Sequence, residues 1–185
     1  MRGGKHSVPE EAVLGMETGS SARQWAVVAV LLDGARARAL YVVSMLSYVR
    51  GEVDRTVEAV EESIAAALLG RGLTALSGGD LDAAEKPLRK ALEMFREQDE
   101  RSGASLGLVG LAQVELARGA TGRVAALLAE AEGLSRSAGD WFTLTAALSS
   151  QALESRLHGD EARTAALLRE SVGLAGNLGD AWHVV

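Results

Sequence analysis

The sequence predicts an all-α protein, a solenoid of helical hairpins, and three observations predict it. The stretch from Ile64 to Asp180 repeats itself at a step of 40: Gly79, Gly119 and Gly159; Leu68, Leu108 and Leu148; Leu88, Leu128 and Leu168; Met94, Leu134 and Leu174; and the acids Glu100, Asp140 and Asp180. Self-similarity at one fixed period of this length is the signature of a repeat architecture. The composition agrees, because aromatics are only 4% and prolines only two, while Ala, Leu and Gly dominate and let helices approach closely. Runs of alternating β-branched residues, the mark of strands, are missing.

Taken in order, residues 1–20 form an N-terminal segment with loose Gly3-Gly4-Lys5, then the capping box Ser7-Val8-Pro9-Glu10 and one short helix. Residues 21–185 form the repeat domain. Ser21-Ala22-Arg23-Gln24 is a second capping box, opening a helix that runs through Leu32 and closes at Asp33-Gly34. Helical hairpins follow at about 35–67, 65–97, 104–136 and 144–176. In the first, Leu40, Ser44, Tyr48 and Gly51 match later repeat positions, and Val53, Thr56, Val60, Ser63 and Ile64 form a stripe at spacings of three and four. Within each of the next three, a glycine ends the first helix, where a left-handed residue is needed. Asp80 and Asp160 then cap the second helix, each worth about 1 kcal/mol.

Gly72, Gly79-Asp80, Ala84, Leu88 and Ala91-Leu92 resemble the tetratricopeptide repeat (TPR) in order. The second unit keeps Ala112, Gly119 and Ala131, and the third keeps Ala152, Gly159-Asp160 and Leu168. The resemblance covers roughly 35–185 and implies a right-handed superhelix of antiparallel helix hairpins. The usual TPR unit is shorter, at about 34 residues. The extra length is expected in the loop after each second helix, at Gln98–Glu100, Ser137–Asp140 and Asn177–Asp180. This longer form resembles the arrays found C-terminal in MalT-like, LuxR-type and AfsR-type bacterial regulators, although the chain carries no ATPase or DNA-binding motif.

Two departures stand out. Gly51 and Gly79 stand only 28 apart, 12 short of the period. Either Val53 to Ser77 is one long helix, kinked at Gly70 and Gly72, or a loop is absent from the chain. Both flanking units keep their repeat positions although nothing in Ser63–Ala67 acts as a turn, which favours the absent loop. A continuous helix would instead throw the first hairpin off the solenoid and open it to swapping with a second chain. The chain also stops where a further first helix should begin, at Ala181–Val185, without the polar cap that solenoids usually need, so a piece of a longer protein is expected.

Several functions are disfavoured. A net charge of −6 argues against direct nucleic-acid binding, which relies on neutralising phosphates. No apolar run approaches the roughly 20 residues that span a bilayer. No signal peptide is visible, and the chain has no cysteine, so a cytoplasmic location is expected. Gly70-Arg71-Gly72-Leu73-Thr74-Ala75 fits the dinucleotide fingerprint, but that motif works between a strand and a helix, and small residues for helix packing explain it better. His6, His158 and His183 are too scattered to hold a metal, and His158 suits a helix C-terminus. Adjacent acids such as Glu61-Glu62 point apart on a helix. No nucleophile or acid/base constellation is present, so neither an enzyme nor a cofactor is expected.

What remains is an interaction module. By the resemblance, the first helix of each hairpin lines a concave groove, with Tyr41, Met45, Tyr48, Leu69, Leu73, Val109, Gln113, Leu153 and Arg156 facing a ligand. The wall is apolar and almost lacks the Lys, Asn and Arg of peptide-carboxylate clamps, so the expected partner is a protein, a peptide or a small hydrophobic effector. The competing explanation of these residues is plain packing between neighbouring helices or cover by the N-terminal segment. Trp141 and Trp182 are expected to staple the helix starts. The alternative function is self-association as a homodimer, through the groove or the apolar edge at Val184-Val185.

Overall fold

A computed structural model describes residues 34, 36, 38–43, 45 and 53–182. The described residues are all-α. Residues 34, 36, 38–43 and 45 are helical, and six helices follow: α1 (Val53–Ser77), α2 (Leu81–Glu97), α3 (Arg101–Ala117), α4 (Val124–Ala138), α5 (Trp141–Leu157) and α6 (Glu161–Trp182). The short N-terminal helix, the helix at 21–32 and the apolar edge at Val184-Val185 lie outside the described residues.

One connector, used again and again, sets the geometry. Left-handed residues recur at every twentieth position: Gly79 (φ 81°), Asp99 (φ 51°), Gly119 (φ 73°), Gly139 (φ 67°) and Gly159 (φ 77°). At each, the next residue's N–H donates back into the helix just ended: Asp80 to Ala75 O, Glu100 to Phe95 O, Ala120 to Glu115 O, Asp140 to Ser135 O and Asp160 to Ser155 O. The preceding bond runs from Gly79 N to Leu76 O and its equivalents, which completes the Schellman arrangement and satisfies carbonyls that would otherwise be orphaned. The same second residue then caps the next helix. The carboxylates of Asp80, Glu100, Asp140 and Asp160 accept from Ala83, Gly103, Thr143 and Arg163 N–H. Ala120 has no such side chain, and there the chain enters α4 through a 3-10 turn, Thr121–Arg123.

The 40-residue period therefore has a different origin from the expected one. The helices α2, α3 and α5 have 17 residues each, about 25 Å, and connectors such as 98–100, 118–120 and 158–160 have three. Two such helices and two such connectors make the period, so the length expected in a loop lies in the helices. No long loop follows the second helix. Asn177–Asp180, expected as that loop, lies inside α6.

At the shortfall of 12 the chain shows no loop. Val53–Ser77 is a single 25-residue helix. Ser63–Ala67 offers no breaker, the alanines favour helix, and Gly70 and Gly72 cost only about 1 kcal/mol each inside one. The hairpins expected at 35–67 and 65–97 thus share this one helix.

Packing puts α1, α3 and α5 in one layer and α2, α4 and α6 in the other. Consecutive helices from α1 to α6 pack on one another, and α1 also touches α3, as α3 touches α5. The core between them holds Leu69, Leu73, Leu88, Leu92, Phe95, Leu108, Val109 and Val114. Leu88 is its best-defined knob. A Cβ built on Gly72 would lie 2.5 Å from Leu88 Cγ, and one on Gly110 would lie 3.0 Å from Leu88 Cδ2, so two glycines make the hole. Across the second layer, Arg96 pairs with Glu130 at 2.5 Å, and one period later Arg136 pairs with Glu170 at 2.5 Å.

Candidate functional site

Each of α3 and α5 is enclosed on three sides: by its own hairpin partner, by the preceding second-layer helix and by its layer neighbours. The remaining face of the first layer is the candidate surface. The expected groove residues fall into three groups on it. Leu69, Leu73 and Val109 are buried, at 0%, 4% and 2% exposure, so they do not form a wall open to a ligand. The reason is visible at Leu73, whose Cδ2 lies 3.2 Å from the Cβ position of Gly110 on α3. Glycine at 110 brings α1 and α3 so close that these side chains fill the seam between them. This is the packing role weighed against the groove.

Gln113 and Leu153 are half-buried and Arg156 is exposed. The Gln113 amide donates to Ser150 Oγ at 3.2 Å, which ties α3 to α5 across the layer. Arg156 has no ion-pair partner among the described residues. Tyr41 and Met45, both helical, are 61% and 49% exposed, and Tyr48 lies outside the described residues. Arg36 meets the layer, its guanidinium reaching Glu62 at 2.5 Å and Glu100 at 3.5 Å.

Sequence reasoning passed over Leu106, Phe142, Ala146 and Leu157. Leu106 lies seven positions before Gln113, and Ala146 seven before Leu153, with Leu157 four beyond, so they share its face. Leu157 is 59% exposed, and the other three are half-buried. The usable signal was the step of 40 from Leu106 to Ala146 and from Gln113 to Leu153. Trp141, expected to staple the start of α5, remains 48% exposed; its neighbour Phe142 packs on the core instead. The side chain of Trp182 lies outside the described residues.

The buried polar groups are tied into the packing. The Ser105 and Ser135 hydroxyls lie 2.6 Å apart between α3 and α4, and both reach the Ala131 carbonyl. Gln151 donates to Glu132 Oε2 at 2.8 Å and to Leu128 O at 3.3 Å, joining α5 to α4. Burial works to raise the Glu132 pKa, but the Gln151 and Arg136 donors outweigh it, so the carboxyl titrates below the usual glutamate range. Glu85 is also lowered, first by its bond to Arg118 and then by Arg89. His158 caps α5 as expected of a base at a helix C-terminus, with Nδ1 2.9 Å from Glu154 O. Gly70 and Gly72 lie inside α1, where Gly72 receives Leu88, so their spacing serves packing.

Among the described residues no group of three His, Cys, Asp or Glu is placed to hold a metal ion, and no helix is long and apolar enough to cross a membrane. No protein-family model matches the chain, and no curated protein or solved structure matches it.

Proposed function

We propose that the helices form a TPR-like right-handed superhelix of antiparallel hairpins, and that the protein is an interaction module that offers the open face of α1, α3 and α5 to a protein, peptide or small apolar effector. The observation that carries this reading is a contrast within the chain. Positions that hold the stack keep their chemistry through the repeats, as Leu68/Leu108/Leu148 and Leu88/Leu128/Leu168 do. Positions away from the core change it: Gln113 becomes Leu153 one period later, and Ser77/Ala117/Leu157 differ at every step. Packing dictates the first set and leaves the second free to be shaped by a ligand. The likeness to arrays of bacterial regulators makes partner or effector sensing the process it would serve.

The test is a panel of defined peptides, apolar amphipathic helices on one side and acidic C-termini on the other, added to labelled full-length chain and followed by heteronuclear NMR. Apolar peptides should perturb the amides of Leu106, Gln113 and Leu153, and Leu153→Glu or Leu157→Glu should abolish the effect without lowering the melting temperature. Perturbation by neither class, or only away from this face, would refute the reading. Homodimerisation is the second reading, and a specific exposed stripe on α1 favours it.

A further inference from the structure

We propose that α1 docks antiparallel on α1 of a second copy of this chain, as a reciprocal swap. The proposal rests on the repeat register used above, but not on a ligand at the open face.

The helix α1 is two repeat helices fused end to end. It starts at Val53 as α2 starts at Leu81, a shift of 28, and it ends at Ser77 as α3 and α5 end at 117 and 157. Its first part is therefore a second-layer helix, and its last part is a first-layer helix. In every later unit the second-layer helix turns back and packs on the first-layer helix that follows it. Here the two are collinear, so the preceding helix cannot occupy its own docking surface.

That surface is exposed on α1. In α3 it comprises Ala104, Gly107, Leu111 and Val114, all buried, and in α5 Leu144, Ala147, Gln151 and Glu154, also buried. The α1 equivalents, one and two periods earlier, are Ile64, Ala67, Arg71 and Thr74, and all four are exposed. The complementary surface is exposed too. Leu88 and Leu92 of α2 face α3. Shifted back by 28 they become Val60 and Ile64, at 40% and 47% exposure, with Val57 at 50% beside them. One continuous stripe, Val57, Val60, Ile64, Ala67 and Arg71, carries both halves of an interface that it cannot close on itself.

The register is its own mirror. Cβ positions on Gly103, Gly107 and Gly110 meet Phe95, Leu92 and Leu88. Moving the first-layer residues back by 40 and the second-layer residues back by 28 gives 63 against 67, 67 against 64 and 70 against 60 of the second copy. Exchanging the copies leaves these pairings self-consistent, with a two-fold axis at about residue 65. Charge agrees with that register. Glu58 and Glu61 flank Val57 and Val60 on one half, and Arg71 lies opposite Val60 on the other; none of the three has an ion-pair partner among the described residues. Pairing α1 with its antiparallel copy places Arg71 beside the acids of the second chain at both ends.

The test is the mass of the full-length chain by light scattering over a concentration series. A dimer is expected. Ile64→Asp should give a monomer of unchanged helicity. Glu61→Arg and Arg71→Glu should each raise the dimer dissociation constant severalfold, and the double variant should recover the affinity. Inserting a flexible 12-residue linker between Ser63 and Ile64 should let the helix fold back in cis and yield a monomer. A chain that is monomeric at every concentration would overturn the swap, and so would a dimer indifferent to Ile64→Asp and to the charge reversals. A monomer that still binds apolar peptides would sink the swap alone. A stripe-dependent dimer that binds none would sink the interaction module alone.

Discussion

Asp99 is the one described non-glycine residue held at positive φ, at 51°, in a connector where four equivalents are glycine. A side chain in the left-handed region costs about 1 kcal/mol or more, although Asp tolerates it better than most residues. Its carboxylate gains little in return, since it is 91% exposed and only 4.0 Å from Arg101 Nε. Asp99→Gly should therefore raise stability by roughly 0.5–1 kcal/mol, seen as a higher urea midpoint at constant m-value. Gly72 presents the opposite case. Its backbone already accepts helical geometry, but a methyl group would meet Leu88 Cγ at 2.5 Å in a fully buried site. Gly72→Ala should gain helix propensity and lose more to overpacking, for a net loss of about 1–2 kcal/mol. Ala112 and Ala152 hold the equivalent places in later repeats, so a stabilising Gly72→Ala would mean that Leu88 can move aside.

At the level of elements, the sequence showed the repeat but not its beat. Steps of 40 were plain because leucines and glycines recur, yet the structural unit is half that, one helix and one connector. The half-step is hidden where Asp99 stands in place of a glycine and Ala120 in place of an acid. Three of the expected groove residues are buried for a related reason. Helical spacing places Leu69, Leu73 and Val109 on the first-layer face, but only the approach allowed by Gly110 decides that they fill a seam. Spacing gives direction around a helix and not distance to the next one. The α4–α5 contact supplies a pH test at this scale. Glu132 titrates below its ordinary value of 4.5, so its contribution is complete above that pH and is lost as pH falls through the lowered folded value. The stability difference between the wild type and Glu132→Gln should be largest near neutrality and vanish in acid. A difference independent of pH would mean that the carboxylate's charge is irrelevant there.

Among the described residues, contacts run mainly between consecutive helices and between next neighbours within the first layer, with the arginine–glutamate pairs linking next neighbours of the second. Stability in such an arrangement is a sum of local terms, so damage should stay near where it is made. Leu88 and Leu168 occupy equivalent repeat positions, but Leu88 is fully buried between α1 and α3, whereas Leu168 on α6 is half-buried with α5 on one side. Leu88→Ala should cost about 3 kcal/mol and Leu168→Ala less, because a cavity is expensive only where neighbours cannot collapse into it. Hydrogen exchange should locate the two effects. Leu88→Ala should speed exchange in α1, α2 and α3 while α5 and α6 keep most of their protection, and Leu168→Ala should do the reverse. Uniform loss of protection in either variant would instead show a single cooperative unit, in which the fused helix α1 and the arginine pairs at 96 and 136 along the second layer couple the helices more tightly than nearest-neighbour packing requires.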